Sequence, residues 1–449
     1  MQIIGIDIGT TTISGVVLDY KKGKTAKLLE AKTIENGCFI PAANEWEKIQ
    51  DADGIVRKAG GLLDYFLNKY HRIQRIGLTG QMHGIVYIDR AGKCVSPLYT
   101  WQDGRGGLWE NGQQSLVAEI WENCKMDTAS GYGLVTHIYN MRHGLVSKNA
   151  VSFCTIMDYF GMYLTSRKRP LVHVSNAAGF SFFDGRNMQF DIEKLKKMGV
   201  QESWLPDVCT EIEKLGTYRK CIVTIAMGDN QASFLGAAGN EENTLLVNVG
   251  TGGQISILLD QYFAENGIEA RPFLGGKYLL AGSSLCGGKA YALLENFFSS
   301  IVKTATGEKI SLYKAMEQFA RVGRERDLTI KEDRKLKIKT TFDGTRTDPK
   351  SSGSIEQLNT ENFTPEAFTY GVLKGMCTEL YQMYRTIEAG TGIQVKKMIG
   401  SGNGVRKNPI FCEMIGEMFQ SNVTLSEYEE EAAAGAALSS LFYAESADH

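Results

Sequence analysis

Apolar residues in this chain recur with two periods, and the switches between them mark out its elements. Ile4, Ile6 and Ile8 alternate with Gly5 and Asp7, which predicts a strand over residues 3–8. After a Gly9-Thr10-Thr11-Thr12 turn, β-branched residues resume at Ile13, Val16 and Val17, predicting a second strand. The pattern returns over residues 245–260, with Gly250 on Gly9, Thr251 on Thr10 and Asn248 where Asp7 stood. Such a repeat predicts two similar halves. Helical spacing covers residues 52–70, with Ile55, Leu62, Leu63, Phe66 and Leu67 inward, and then residues 116–121 and 155–164. Residues 75–80 read as a short strand ending in glycine, and 86–89 with 96–99 as a strand pair. A charged helix and connector over 191–220 place a domain boundary near residue 222. Beyond it, a strand over 221–226 precedes a helix through Ala238. Leu294, Phe297, Phe298 and Ile301 mark another helix, and Leu336, Ile338 and Thr340 a strand. A polar loop spans 344–362. Leu373, Met376, Cys377, Leu380, Tyr384 and Ile387 give a long core helix, and Phe411, Met414, Ile415, Met418 and Phe419 a further one. Small residues from Glu431 to Ala437 form a terminal helix that packs tightly.

Length agrees with the repeat: 449 residues suit two domains, 1–222 and 223–449. A formal charge of −2 provides no net field to draw the chain to nucleic acid or an anionic membrane. The nine cysteines stand alone, with neither a C-x-x-C pair nor a neighbouring His at metal spacing, which predicts reduced thiols in a cytoplasmic protein. The first residues carry no basic segment of a signal peptide, and no apolar run reaches the roughly 18 residues of a membrane span.

The chemistry concentrates at the glycine turns. Gly9 lets the backbone bend so that Thr10, Thr11 and Thr12 can present amides and hydroxyls to a phosphate, with Asp7 placed to hold Mg²⁺ through water. Gly250, Thr251, Gly252 and Gly253 repeat the phosphate cradle without the carboxylate. Gln81-Met82-His83-Gly84 follows a strand end, where α/β sheets carry ligands. Trp101-Gln102-Asp103-Gly104-Arg105 reads either as a surface turn with an Asp-Arg pair or as a site for a polyhydroxylated molecule, the ring on C–H faces and the polar groups on hydroxyls. Asp229 opens a helix after a strand and a glycine, so it reads as an N-cap, a general base, or both. Gly287-Gly288 before a helix allows close approach of a nucleotide. Gly400, Gly402 and Gly404 bare the main chain for an adenine that Asn408 can read.

Taken together, these stretches resemble the FGGY carbohydrate kinases, sugar kinases of the actin-like ATPase superfamily, from Ile4 to about Leu441. Asp7-Ile8-Gly9-Thr10-Thr11-Thr12 is similar to the family's first phosphate motif, and Val249-Gly250-Thr251-Gly252 to its second. Gly400-Ser401-Gly402-Asn403-Gly404 with Asn408 is similar to the adenosine motif, and Gly228-Asp229-Asn230-Gln231-Ala232 to the segment with the catalytic aspartate. Within the family, Gly80-Gln81-Met82-His83-Gly84 resembles the xylulokinase and heptulokinase branch, and Trp101 to Arg105 looks most like its sedoheptulose-directed members. Tyr291 departs from the family where some relatives have a nucleotide-contacting Gln, and His173 where many have Asp.

The resemblance implies an α/β fold of two actin-like ATPase (ribonuclease H-like) domains, the first for sugar and the second for nucleotide, with a ligand cleft between them. It implies phosphate transfer from ATP to a primary hydroxyl of a ketose, with Asp229 as general base and Mg²⁺ held by Asp7 and Asp229. Gln81, Met82, His83, Trp101, Gln102, Asp103 and Asn230 are then expected at the sugar. Thr10 to Thr12, Gly250 to Gly253, Gly287, Gly288, Gly402, Asn403, Gly404 and Asn408 are expected at the nucleotide. The implied partners are a small sugar and ATP, without nucleic acid or membrane, and a homodimer is admitted. Rival readings are a nucleotide-dependent chaperone or filament protein of the same superfamily, and a catalytically silent sugar sensor.

Overall fold

The computed structural model describes residues 1–110, 112, 114–346, 348 and 350–444. The chain forms two compact units. Met1–Gly239, Arg271–Lys277 and the residues from Tyr428 on build the first, and Asn240–Ala270 with Tyr278–Glu427 the second. The expected boundary near residue 222 therefore lies inside the first unit. Cys221–Thr224 is an inner strand of that unit's sheet, paired on both sides, so the chain cannot leave the fold there.

The first sheet has six strands in the order Lys214–Tyr218, Cys221–Thr224, Ile73–Gly80, Gln2–Ile8, Thr12–Asp19, Lys27–Glu35. Gln2–Ile8 runs antiparallel to Thr12–Asp19, closing the hairpin at Ile8 and Ile13, and parallel to Ile73–Gly80. Cys221–Thr224 is parallel to Ile73–Gly80 on its other side. Both faces of the first strand are covered, which is why its isoleucines are fully buried whichever way they point. Ile4, Ile6 and Ile8 join a cluster with Leu62, Leu63 and Phe66 of the helix Ala52–Lys69. Ile3 meets Val16, Leu18 and the terminal helix Glu431–Ser439. The strands expected to pair over 86–99 do so only through isolated bridges. Val86–Asp89 takes Ala150–Cys154 as its partner and Leu98–Tyr99 takes Ile49–Gln50. Phe153 and Cys154 of the partner that Val86–Asp89 takes are both fully buried.

The second sheet repeats the arrangement in the order Ile268–Pro272, Tyr278–Ser284, Gly253–Leu259, Thr244–Val249, Lys397–Ser401, Val423–Leu425. Its central hairpin, Thr244–Val249 with Gly253–Leu259, is again flanked by a parallel strand, Lys397–Ser401. The sequence repeat is thus a repeat of topology. The helix Pro365–Thr391 buries Leu373, Met376, Cys377, Leu380, Tyr384 and Ile387, as its spacing predicts. Gly288–Thr306 differs: Phe297 and Ile301 of its apolar stripe are exposed. Among the described residues no helix is long and apolar enough to cross a membrane, and the nine cysteines are free thiols.

Candidate active site

Three parallel strands of the first sheet end on the same edge, and each delivers chemistry there. Gln2–Ile8 brings Asp7 and the Gly9-Thr10 turn, Ile73–Gly80 brings Gln81, Met82 and His83, and Cys221–Thr224 leads to Asp229. The Met227 N–H donates to the Leu78 carbonyl at 2.9 Å and the Thr79 hydroxyl to the Met227 carbonyl at 2.8 Å, so the approach to Asp229 is stitched to the neighbouring strand. These ends surround a cavity of about 410 Å³ lined by Asp7, Gly9, Thr10, Gln81, Met82, His83, Trp101, Asp229, Ser233 and Ala432.

The turn between the first two strands is braced from several sides. An alanine-like Cβ on Gly9 would stand 2.9 Å from the Thr12 carbonyl oxygen, so the turn closes only around a glycine. Asn36 Nδ2 donates to the Gly9 carbonyl at 2.8 Å and Gln50 Nε2 to the Thr10 carbonyl at 2.8 Å. The Thr10 hydroxyl donates to Gln81 Oε1 at 3.3 Å and accepts from Trp101 Nε1 at 3.0 Å, while Gln81 Nε2 donates to Gln50 Oε1 at 2.9 Å. Gln81 and Trp101 therefore hold the Gly9-Thr10 turn as well as facing the cavity. Thr11 and Thr12 are exposed at the turn's tip, outside the lining.

His83 sits at φ 71°, a left-handed conformation that a histidine adopts only when its surroundings enforce it. Its Nδ1 lies 2.7 Å from the Gly179 carbonyl and its ring stacks on Tyr132 at 4.3 Å with an interplanar angle of 3°. A carbonyl only accepts, so Nδ1 carries a proton.

Asp229 is the first residue of the helix Asp229–Ala238, whose N-cap is Gly228; the capping role open to Asp229 falls to its neighbour. Enclosure by the protein raises its carboxyl above the ordinary range, while His83, Asn230 and Arg271 oppose the rise. Asn230 Nδ2 donates to Asp229 Oδ1 at 2.9 Å, so Asn230 serves the aspartate and does not line the cavity. Asp7 is also raised, to about 7, by enclosure first and then by the charges of Asp229 and Glu430. Among the described residues no three His, Cys, Asp or Glu side chains converge as a metal cage. Two carboxylates at one cavity do suit Mg²⁺, a hard cation that takes one or two protein carboxylates and completes its shell with water and phosphate.

Asp103 stands elsewhere. It is fully buried, with Oδ1 2.7 Å from Arg105 Nε and Oδ2 3.1 Å from both Arg105 Nη2 and the Lys48 N–H. The Arg105 guanidinium reaches Asn140 Oδ1 at 2.5 Å and lies 4.3 Å from the Tyr99 ring centre. Asp103, expected at a sugar, has its acceptors engaged within the protein and does not line the cavity. Gln102 is exposed and also outside the lining. Sequence reasoning missed Ser233, whose signal was its position one helical turn after Asp229, and Gln50, which had none.

The second unit carries a cavity of its own, about 680 Å³, lined by Gly250, Thr251, Gly288, Asn403, Gly404 and Asn408 from the expected set. Tyr291, Tyr313, Glu317, Met376, Lys407 and Phe411 join them; Met376 and Phe411 read in the sequence only as core. The glycines there serve backbone packing. A Cβ on Gly287 would lie 2.3 Å from the Gly252 carbonyl carbon, one on Gly288 2.3 Å from the Gly250 oxygen, and one on Gly402 2.5 Å from the Val249 oxygen. Gly252, Gly253, Gly287 and Gly402 accordingly lie behind the lining and not on it. Asn408 Oδ1 accepts from the Phe411 N–H at 3.1 Å, capping the helix Pro409–Phe419. Its side chain also bonds Tyr291, whose hydroxyl burial pushes up to about 12. The Tyr291 and Tyr313 rings lie 5.9 Å apart, giving the cavity an aromatic wall.

Comparison with known proteins agrees with this layout. Residues 2–246 match the N-terminal domain of the FGGY family of carbohydrate kinases and residues 245–443 its C-terminal domain. Sedoheptulokinase of Mus musculus is 25% identical over 97% of this chain and 96% of the mouse protein, and xylulose kinase of Staphylococcus xylosus is 22% identical over 97% and 89%. The crystal structure of xylulose kinase from Rhodospirillum rubrum superposes with a TM-score of 0.81 at 18% identity, over 98% of this chain and 89% of that one. The fold is the two-unit α/β fold of the actin-like ATPase type. With both family domains matched end to end, the chain belongs to the FGGY family of carbohydrate kinases.

Proposed function

We propose that this kinase transfers the γ-phosphate of ATP to a primary hydroxyl of a ketose, with sedoheptulose as the substrate and Asp229 as the general base. The observation that carries the reading is a carboxyl of raised proton affinity in a cavity it shares with His83, Gln81 and Thr10. A raised proton affinity makes Asp229 a better acceptor for the substrate proton as the oxygen attacks phosphorus. His83, fixed by its bond to the Gly179 carbonyl and its stack on Tyr132, lines the same cavity and orients the sugar. Asp7 and Asp229 would hold Mg²⁺, which would supply charge neutralisation at the phosphates. The Thr10 turn receives phosphate oxygens through its amides, and the adenosine occupies the aromatic-walled cavity of the second unit. Sedoheptulose is favoured by the likeness to the mouse enzyme along nearly its whole length. Xylulose is the next choice, named by the Staphylococcus xylosus relative.

The test is ATP consumption with sedoheptulose, xylulose, ribulose, gluconate and glycerol side by side. Sedoheptulose is expected to give the highest kcat/KM; a higher value for another sugar reassigns the substrate. Asp229→Asn is expected to bind ATP normally and lose on the order of 10² or more in kcat. Near-normal turnover by that variant removes Asp229 from the chemistry.

A further inference from the structure

We propose that His173 is a positioning residue for Asp229, acting through Ser175 and the Gly228 peptide. The inference rests on the reading of Asp229 as the base, and its own support is a chain of hydrogen bonds in which every donor and acceptor is determined.

His173 ends the strand Leu171–His173 and is fully buried. Its Nε2 lies 3.0 Å from the Thr210 carbonyl, which can only accept, so Nε2 carries the proton. Nδ1 is then a bare lone pair. It lies 3.2 Å from the Ser175 N–H and 2.7 Å from Ser175 Oγ, so the serine hydroxyl must donate to it. With its proton committed to His173, Ser175 Oγ offers a lone pair on its other side, and the Gly228 N–H donates to it at 3.0 Å. The Ser175 carbonyl accepts from Gln231 Nε2 at 3.3 Å, and the same amide reaches the Pro272 carbonyl at 3.1 Å. Gly228 and Gln231 bracket Asp229 in the sequence, so both ends of its helical turn are tied to Ser175.

The glycine matters to this arrangement. Gly228 is the N-cap of the Asp229 helix and has no side chain of its own to bond the first turn. A Cβ there would meet Met82 Sδ and the Ser175 carbonyl, each at 2.9 Å. The peptide that aims Asp229 is thus packed from one side and hydrogen-bonded from the other. Burial lowers the His173 pKa to about 4, which keeps the imidazole neutral and the direction of the chain fixed at working pH. Without the Nδ1 acceptor the Ser175 hydroxyl rotates freely, the Gly228 N–H loses a defined partner, and the carboxyl beside it loses its aim. Small displacements of a catalytic group cost large factors in rate.

The experiment compares His173→Leu, His173→Asn and Ser175→Ala with Asp229→Asn in one assay, together with backbone amide exchange of the folded variants. Asn places an oxygen acceptor near the position of Nδ1 but cannot reach Thr210. His173→Leu is expected to lower kcat about tenfold to a hundredfold with KM for ATP unchanged, and His173→Asn to recover most of that loss. Ser175→Ala is expected to reproduce the loss, with the double variant no worse than either single one. Exchange at Gly228 is expected to quicken in His173→Leu and Ser175→Ala while the strand Gln2–Ile8 stays protected. If His173→Leu does not fold, Ser175→Ala, which deletes a single atom, carries the same comparison. Unchanged kcat and unchanged Gly228 exchange in Ser175→Ala overturn the proposal whatever Asp229→Asn does. Near-normal turnover by Asp229→Asn instead overturns the assignment of the base, whatever happens at Gly228.

Discussion

Two buried aspartates of the first unit show how neighbours decide what a carboxyl does. Asp103 faces a guanidinium and a backbone N–H and is held in a buried ion pair. Among the described residues Asp158 has no cationic partner. Its Oδ2 accepts from the Thr155 hydroxyl and from Asn176 Nδ2, each at 2.7 Å, while its Oδ1 and the Asn176 Oδ1 are buried without partners. Burial raises its pKa from 3.8 to about 7 against the pull of those hydrogen bonds. A proton on Oδ1 relieves the buried charge. The sign of the linkage follows: the folded pKa lies above the unfolded one, so this group's contribution is full below pH 3.8 and is lost as pH rises towards 7. The loss is on the order of a few kcal/mol. Asp158→Asn keeps the acceptor, supplies a permanent donor and does not titrate. We therefore expect the variant to be as stable as the parent at pH 4 and progressively more stable than the parent above it, with a smaller shift between its denaturation curves at pH 5 and pH 8 than the parent shows. Parent and variant curves that shift in parallel over this range would count against a neutral Asp158.

At the scale of elements, the close contacts run through glycines and alanines. The terminal helix Glu431–Ser439 lies so near the first sheet that a Cβ on Gly77 would stand 1.7 Å from the Ala436 oxygen, and one on Gly5 1.8 Å from the Ala433 oxygen. Gly236 and Gly435 make the same approach between this helix and the Asp229 helix, meeting backbone at 2.0 Å and 1.7 Å. Backbone cannot turn aside as a side chain can, so Gly77→Ala is expected to destabilise the first unit by roughly 3 kcal/mol or more, read from its denaturation midpoint. A shift below about 0.5 kcal/mol would mean that the helix docks elsewhere. The small-residue run of this helix was legible in the sequence as tight packing, but its partner was not, because glycines in strands Gln2–Ile8 and Ile73–Gly80 look alike whether they face a loop, a ligand or another backbone. The same ambiguity explains Gly287 and Gly402, read as nucleotide contacts and found packed against Gly252 and Val249. That Asp7, Gly9, His83 and Asp229 would meet at one cavity was legible because strand-end position and side-chain chemistry coincide there. The Asp103–Arg105 pair was legible as an alternative, but adjacency to Trp101 in sequence says nothing of which way a buried ion pair turns.

For the whole molecule, the chain's path matters more than its two-part pattern suggests. The first unit is completed only by the residues from Tyr428 on, so a division into halves at one point in the sequence describes neither unit. Membership of a carbohydrate kinase family also sets aside the chaperone and filament readings that the shared Gly-Thr turns left open. The returning segment buries Ile3, Val16, Leu18 and Ala26 against Tyr428, Ala433, Ala434 and Ala437, with the Tyr428 hydroxyl donating to the Ala26 carbonyl. Each large apolar side chain left bare costs about 1.5–3 kcal/mol, a sum comparable with a domain's whole stability. The cavity with the aromatic wall, by contrast, is built wholly from residues between Gly250 and Phe411. Ending the chain after Glu427 is therefore expected to abolish cooperative unfolding of the first unit and all sugar-dependent ATP consumption. The second unit should still unfold cooperatively and still bind an ATP analogue in calorimetry. Sugar phosphorylation at the parent's rate by that shortened chain would show that the terminal helix is dispensable, and loss of nucleotide binding along with it would show that the second unit does not stand alone.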